Sequence, residues 1–271
     1  MNPSDNTLDE KIYKTIRDLV YNKAGINLGE GKQALVHARL GKRLRALDLP
    51  DHRAYLELLQ NDQSGEELVE LLDVISTNHT NFFREPAHFE FLTEVVKKIV
   101  AQGSRSLRIW CAAASTGEEP YTLSMVCQEA FGPTKMDFRI LCTDISTRVL
   151  RICKTGSYPK ARISDIPPEY VHRYWNKDDG HFVAKDQLKQ PLSFARLNLM
   201  ENPYPMKGPF DIIFCRNVMI YFDRSGREKI VIEALRLLKP GGYLVVGHAE
   251  SLNGILNGLK AVHPSVYQKS F

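Results

Sequence analysis

Residues 108–125, RIWCAAASTGEEPYTLSM, run from an apolar strand through a turn of small residues into a helix. The small residues from Ala112 to Gly117 let the backbone approach a ligand closely, and the helix start that follows presents N–H groups without intrahelical partners. The stretch matches neither GxGxxG nor the P-loop pattern, so it names no nucleotide by itself. Glu118 and Glu119 set carboxylates at the turn, which suits a ligand bearing a cation better than one bearing phosphates. The plain alternative is an ordinary tight turn whose acids merely stabilise the helix.

From Leu107 onward apolar runs alternate with helical patterns: LRIWCAA, FRILCTDI, LSFARLNL, FDIIFC and GYLVVGHAE, with helices fitting Glu119–Phe131, Thr147–Thr155 and Arg224–Leu238. That alternation predicts an α/β domain with a parallel sheet and crossover helices. Pro240 and Gly241 end the last helix, and the tail LKAVHPSVYQKSF alternates as an antiparallel edge strand would. Residues 158–190 are too long for a strand-to-helix loop and carry a hairpin-like Asp179-Gly180, so they predict an inserted subdomain. Asp144 closes the strand FRILCTD. In open sheets of this kind ligands bind outside the carboxyl ends of strands, where an acid can accept hydrogen bonds from ribose hydroxyls. Its bland role is an N-cap for the helix beginning near Thr147. The small-residue turn and the acidic strand end together favour a ligand containing adenosine.

Before residue 90 the pattern is helical, with Ile12, Ile16, Leu19 and Val20 at helical spacing, then Leu35, Leu40, Leu44 and Leu47, then Tyr55–Leu59 and Glu66–Ile75. The division expected is a helical domain at 1–90 and a ligand-binding domain at 91–271. Charge is uneven: Lys32, Arg39, Lys42, Arg43 and Arg45 fall between Gly31 and Leu47 with no acid among them, while 65–73 carries only acidic charges. The net charge of +4 is modest, yet a local basic face steers an acidic partner. A solvated helix surface is the alternative.

The 271 residues are 43% hydrophobic and 25% charged, as expected of a chain that folds throughout. Five scattered cysteines without a CxxC pair indicate neither a disulfide framework nor a zinc site, and they suit a reducing cytoplasm. No apolar h-region opens the chain and no run approaches the ~20 residues needed to span a bilayer, so export and membrane insertion are not expected.

Four segments, STNHTNFFRE (76–85), AAASTGEEPY (112–121), FDIIFCRNVMIYF (210–222) and LKPGGYLVVGHAESL (238–252), resemble those of the CheR-type chemotaxis receptor methyltransferases, in the same order and at compatible spacing. The resemblance covers nearly the whole chain. It implies a Rossmann-like class I methyltransferase domain with a small inserted β-subdomain, preceded by a small helical domain. It also implies S-adenosylmethionine as cofactor, S-adenosylhomocysteine as product, and glutamates on the helical bundle of methyl-accepting receptors as substrate. Among site residues, the resemblance gives Asn78, Thr80 and Arg84 the motif joining the helical domain to the cofactor site. Glu118 and Asp144 hold the cofactor, Asn198 and Leu199 flank its adenine, and Arg216 and Asn217 line the base of the pocket. Arg84 and Tyr221 are the implied active-site pair, and Lys32, Arg39, Lys42, Arg43 and Arg45 the implied receptor contact. Phe82, Phe83 and Phe222 are assigned to packing, and His79 and His248, tempting as bases, are not needed for methyl transfer to a carboxylate.

Some members dock a receptor's C-terminal peptide on the inserted subdomain as an added strand. RYWNKDDGHFVAKDQLKQ, with its single Gly180, is shorter here, which predicts no useful peptide binding. A monomer is expected. Two rival readings are a non-catalytic cofactor-binding module and a methyltransferase acting on another protein or on nucleic acid. The second lacks an acidic-Pro-Pro-aromatic motif and a Pro-Cys nucleophile, since Cys215 follows Phe214.

Overall fold

The computed structural model describes residues 8–75, 80–252, 254–255 and 258–270. Asn78 and His79 lie outside the described residues. The chain divides into two compact units, one of residues 1–78 with 221–226 and one of 79–220 with 227–271.

The first unit holds α1 (Glu10–Ala24), α2 (Gln33–Ala46), α3 (His52–Asn61) and α4 (Glu66–Ile75). Asp9 caps α1, Gly25 ends it in the left-handed region, and Asp51 caps α3. Ile16, Val20, Val36, Leu40, Tyr55, Leu71 and Leu72 are almost wholly buried, which follows from their helical spacing. Phe222 joins this unit through a bridge to Ile26, and Tyr221 accepts a hydrogen bond at its carbonyl from Asn27 N–H at 2.7 Å.

The second unit begins with α5 (Ala87–Ala101), which the expected boundary after residue 90 would have cut. Phe89, Leu92, Val95 and Val96 bury one face of α5 in the same core as β1 and α6, so the boundary belongs before the helix. The order continues β1 (Ser106–Cys111), α6 (Glu118–Phe131), β2 (Asp137–Asp144) and α7 (Thr147–Thr155). The insertion follows as β3 (Ser157–Pro159), α8 (Pro168–Tyr174), β4 (Trp175–Asp178), β5 (His181–Ala184) and α9 (Asp186–Lys189). Then come β6 (Leu192–Arg196), β7 (Phe210–Cys215), α10 (Arg224–Leu237), β8 (Leu238–Val246), β9 (Leu259–His263) and β10 (Val266–Lys269).

Seven strands form the main sheet in the order β6-β2-β1-β7-β8-β10-β9. β6, β2, β1, β7 and β8 pair in parallel, and β10 pairs antiparallel with β8 and β9. The tail is therefore a hairpin whose second strand enters the sheet and whose first strand forms the edge. The chain leaves β1 toward β2 and later returns on its other side with β7, so the crevice above β1 and β7 is where such sheets bind ligands. β3, β5 and β4 form a separate antiparallel sheet, in that order. Its apolar side packs Tyr158, Tyr174 and Trp175 against Phe82, Tyr121 and Met125.

Candidate functional site

The turn after β1 is built around Gly117, whose φ of +104° favours glycine. A Cβ there would stand 2.4 Å from Tyr158 Oη and 2.7 Å from Cys153 Sγ. Ala114 N–H donates to the Thr143 carbonyl at 2.9 Å, and Ser115 N–H to Asp144 Oδ2 at 2.9 Å. Asp144 Oδ1 accepts from Ser146 N–H at 3.0 Å. The cap of α7 is Ser146, which accepts from Val149 N–H, so capping does not account for Asp144. Its carboxylate instead stands half-buried at the carboxyl end of β2, aimed by the turn that follows β1.

Glu118, the first residue of α6, is 1% exposed. Thr116 Oγ1 donates to its Oε2 at 2.6 Å, while Oε1 is buried without a hydrogen-bond partner and has only Arg162 Nη2 at 3.4 Å. Burial pushes this carboxyl above the usual range, with Thr116 and Arg162 acting against that. The Ser115 hydroxyl is likewise buried and unpartnered. A buried carboxylate oxygen met only by Arg162 at 3.4 Å can take a further donor, and an ammonium group supplies both the donor and the opposite charge.

Asn198 and Leu199 follow β6 and are buried. Asn198 Oδ1 accepts from Met200 N–H and its Nδ2 donates to Glu201, which fixes the loop, and the Leu199 carbonyl accepts from the Tyr204 hydroxyl. The Leu197 N–H to Asp144 carbonyl bond of 3.0 Å ties the loop of Asn198 to the end of β2, and Glu118 opens the helix that follows β1.

Arg216 and Asn217 are both engaged with acids of the same unit. Arg216 is buried, donates to Glu119 Oε2 at 2.6 Å, to Glu85 Oε2 at 3.1 Å and to the Arg84 carbonyl at 2.5 Å, and lies over the Phe89 ring. Asn217 Nδ2 donates to Glu85 Oε1 at 3.1 Å. Both side chains are held within an internal polar network because Glu85, Glu119 and Arg216 can be buried only as partners. Glu250 extends the network, accepting from the N–H groups of Asn217, Ile220 and Gly247. Burial drives its carboxyl upward, whereas Glu85, against the cost of its own burial, is held low by Asn217 and Arg216. Burial and Arg216 bring the neighbouring His88 down to about 4.

Arg84 sits between Phe83 and Glu85, both at positive φ (55° and 59°), so its peptide is presented by a sharply turned segment. The Thr80 carbonyl accepts from Arg162 at 3.2 Å. Tyr221 belongs to the first unit. Phe82 is fully buried and Phe83 and Phe222 pack against cores, as their assignment to packing anticipates.

The basic helix α2 is only partly a free face. Arg43 donates to both carboxylate oxygens of Glu67, at 2.9 and 2.5 Å, and pairs with Glu70 at 3.5 Å, while Tyr55 donates to Glu67 at 2.7 Å. Arg39 donates to the carbonyls of Val74 and Ile75. The acidic side chains of α4 are thus partners of Arg43, and backbone carbonyls at the end of α4 are partners of Arg39. Lys42 and Arg45 are exposed, and Lys32 is half-buried.

Two family models match the chain, "CheR methyltransferase, SAM binding domain" over residues 78–267 and "CheR methyltransferase, all-alpha domain" over residues 11–76. The chain belongs to the CheR methyltransferase family. It is 38% identical to a chemotaxis protein methyltransferase of Borreliella burgdorferi across 98% of this chain and 96% of the relative. Identity to the proteins of the same name from Salmonella typhimurium and Escherichia coli is 36% and 37%, covering 97% and 91% of this chain and 91% and 86% of theirs. As a CheR methyltransferase the chain uses S-adenosylmethionine, and the carboxylates of Glu118 and Asp144 are chemically suited to its ammonium and its ribose hydroxyls. Among the described residues no helix is long and apolar enough to cross a membrane.

Sequence reasoning missed Glu85, Glu250 and Arg162, and read Glu119 as facing the ligand turn when it pairs with Arg216. The N-terminal position of Glu119 in α6 was visible. Its partner lies 97 residues away and nothing local in the sequence announces it.

Proposed function

We propose that this enzyme transfers the methyl group of S-adenosylmethionine to glutamate side chains of methyl-accepting chemotaxis receptors in the cytoplasm, giving glutamate methyl esters. The observation that carries this reading is a pair of carboxylates in a CheR domain, Asp144 held by Ser115 N–H at the end of β2 and Glu118 buried at the start of α6. S-adenosylmethionine supplies a sulfonium methyl open to in-line displacement by a carboxylate oxygen. A glutamate with a reference pKa of ~4.3 is already ionised at neutral pH, so the enzyme needs no general base. Placement is what remains, and near-attack positioning contributes on the order of 7–11 kcal/mol.

In this reading Arg84 orients the incoming carboxylate through its fork of donors, and Tyr221 offers the substrate a hydroxyl hydrogen bond. Too tight an ion pair would blunt the nucleophile, so Arg84 acts more on binding than on intrinsic reactivity. Lys42 and Arg45, with Lys32, present the positive charge that an acidic receptor helix meets, while Arg39 and Arg43 hold α2 to α4.

Incubation with labelled cofactor and receptor cytoplasmic domains tests the reading. Label on receptor that alkali releases as methanol supports it, and alkali-stable label or label on nucleic acid refutes it. Arg84→Ala and Tyr221→Phe, folded by thermal melt, are expected to slow that transfer at unchanged cofactor affinity for Tyr221→Phe. Parent rates in both would remove the pair from the site.

A further inference from the structure

Glu85, His88 and His248 come together from three places in the second unit: the turn before α5, the first turn of α5 and the loop after β8. Their ligating atoms all lie within 4.8 Å of one another. His88 Nδ1 stands 3.4 Å from Glu85 Oε2, and His248 Nε2 stands 3.9 Å from the same oxygen. The two rings meet edge to face at 4.7 Å. His88 is 0% exposed, and neither of its ring nitrogens has a hydrogen-bond partner. A buried imidazole with both nitrogens unused is costly, and its chemistry is that of a metal ligand.

We infer that Glu85, His88 and His248 form a binding site for one zinc-like divalent transition-metal ion. Two imidazoles and a carboxylate, with an open fourth position, are a donor set that zinc accepts. With metal–ligand bonds of about 2.0–2.2 Å, tetrahedral geometry sets ligand atoms about 3.3–3.5 Å apart. The Glu85–His88 separation already meets that spacing, and the others close by turning the half-exposed His248 side chain inward. His248 also gives the ion its route from solvent. The backbone beneath it is fixed: His248 N–H donates to Glu85 Oε2 at 3.2 Å, and a Cβ on Gly247 would stand 2.3 Å from Asn217 Nδ2.

The surroundings set limits on affinity. Arg216 donates to Glu85 at 3.1 Å and opposes a cation there, so binding is expected in the micromolar range, not the nanomolar range of closed structural sites. Imidazole donors favour zinc, nickel or copper over magnesium, which prefers oxygen ligands. The five cysteines are all buried and do not compete in the folded protein. No spacing in the sequence could reveal the site, because His248 lies 163 residues from Glu85.

Calorimetry with zinc chloride on the purified full chain, paired with equilibrium dialysis and metal analysis, tests the inference. One equivalent of zinc is expected, weakened at least tenfold in His248→Ala and in Glu85→Gln, with magnesium chloride giving no binding at the same concentrations. His248 is exposed, so its replacement is read without a folding penalty, confirmed by an unchanged melting temperature. His88→Ala is expected to lose the site as well, and if that variant does not fold the His248→Ala comparison decides. Absence of zinc binding, or an unchanged equivalent in folded His248→Ala, overturns the assignment.

Discussion

Asp144 Oδ2 accepts a hydrogen bond from the backbone N–H of Ser115 at 2.9 Å, so the acid that ends β2 is aimed by the turn that ends β1. Two backbone donors, Ser115 N–H and Ser146 N–H, fix the direction of the carboxylate at the strand end. Asp144→Ala is expected to weaken cofactor binding by about 1.5–3 kcal/mol, the usual loss for a charged hydrogen bond. Calorimetry on a folded variant checks it, and an unchanged affinity would remove Asp144 from the site.

Glu118 gives cofactor binding a pH dependence. Its carboxyl is raised by burial, so in the free enzyme it holds its proton to a higher pH than an ordinary glutamate. An ammonium placed against it favours the ionised form and expels that proton. Affinity is therefore flat above the raised pKa and falls by up to about tenfold per pH unit below it. The same shift costs folding stability at neutral pH, a cost relieved as pH drops. Glu118→Gln is expected to bind cofactor more weakly with a flattened profile, read by calorimetry across pH 4 to 8, a range set by reference carboxylate and neutral values.

Gly117→Ala places a methyl group against Tyr158 Oη and Cys153 Sγ in a backbone conformation that L-residues rarely adopt. Overpacking of this kind costs about 1–3 kcal/mol, and relaxation would push the turn into the space the cofactor uses. Both a lower melting temperature and weaker cofactor binding are expected. Gly180→Ala, at a turn with open space around it, should show only the smaller backbone cost.

The two halves of the basic helix should separate by assay. Arg43→Ala strips partners from Glu67 and is expected to cost about 1.5–3 kcal/mol in thermal stability. Lys42→Glu with Arg45→Glu alters exposed positions, so stability should move by less than about 0.5 kcal/mol. That pair should instead raise the KM for receptor severalfold, with the difference shrinking as salt rises. Unchanged KM at low salt would remove α2 from the receptor contact.

In the insertion, β4 and β5 are joined by Asp179 and Gly180 alone, at φ of 35° and 77°, a tight two-residue hairpin turn. Titration with a receptor's C-terminal pentapeptide is expected to give no saturable signal. Micromolar binding that shifts resonances around Gly180 would reverse that expectation.

The sheet and the helical unit were legible because their apolar residues repeat at strand and helix periods. α5 was equally periodic in Phe89, Leu92, Val95 and Val96, yet it follows directly on a polar motif and was absorbed into a boundary. The helix expected to reach Leu238 stops at Leu237, and β8 runs on through Lys239-Pro240-Gly241-Gly242, where its pairing with β7 is shifted around Phe210. Asp144 at a strand end and Glu118 at a helix start stand where their place in the sequence put them. The partners of Arg216 could not be read, because Glu85 and Glu119 lie far from it along the chain. The pairing of Arg43 with Glu67 and Glu70 was hidden for the same reason, although the acidic run of α4 was visible as opposite charge.

Phe82 lies edge-on to both Tyr158 and Trp175, and those two rings belong to the insertion. The insertion is therefore no detachable accessory. Its inner side, with Tyr174, Trp175 and Ala184, is tied to residues that shape the 80–85 segment, while Asn176 to His181 look outward. Inherited change can accumulate on that outward rim at little cost, and change on the inner side must be matched across the aromatic cluster. Swapping insertions between relatives to exchange their docking habits should accordingly succeed when only the rim is transplanted, and should cripple the recipient when the whole module is moved without Phe82 and its neighbours.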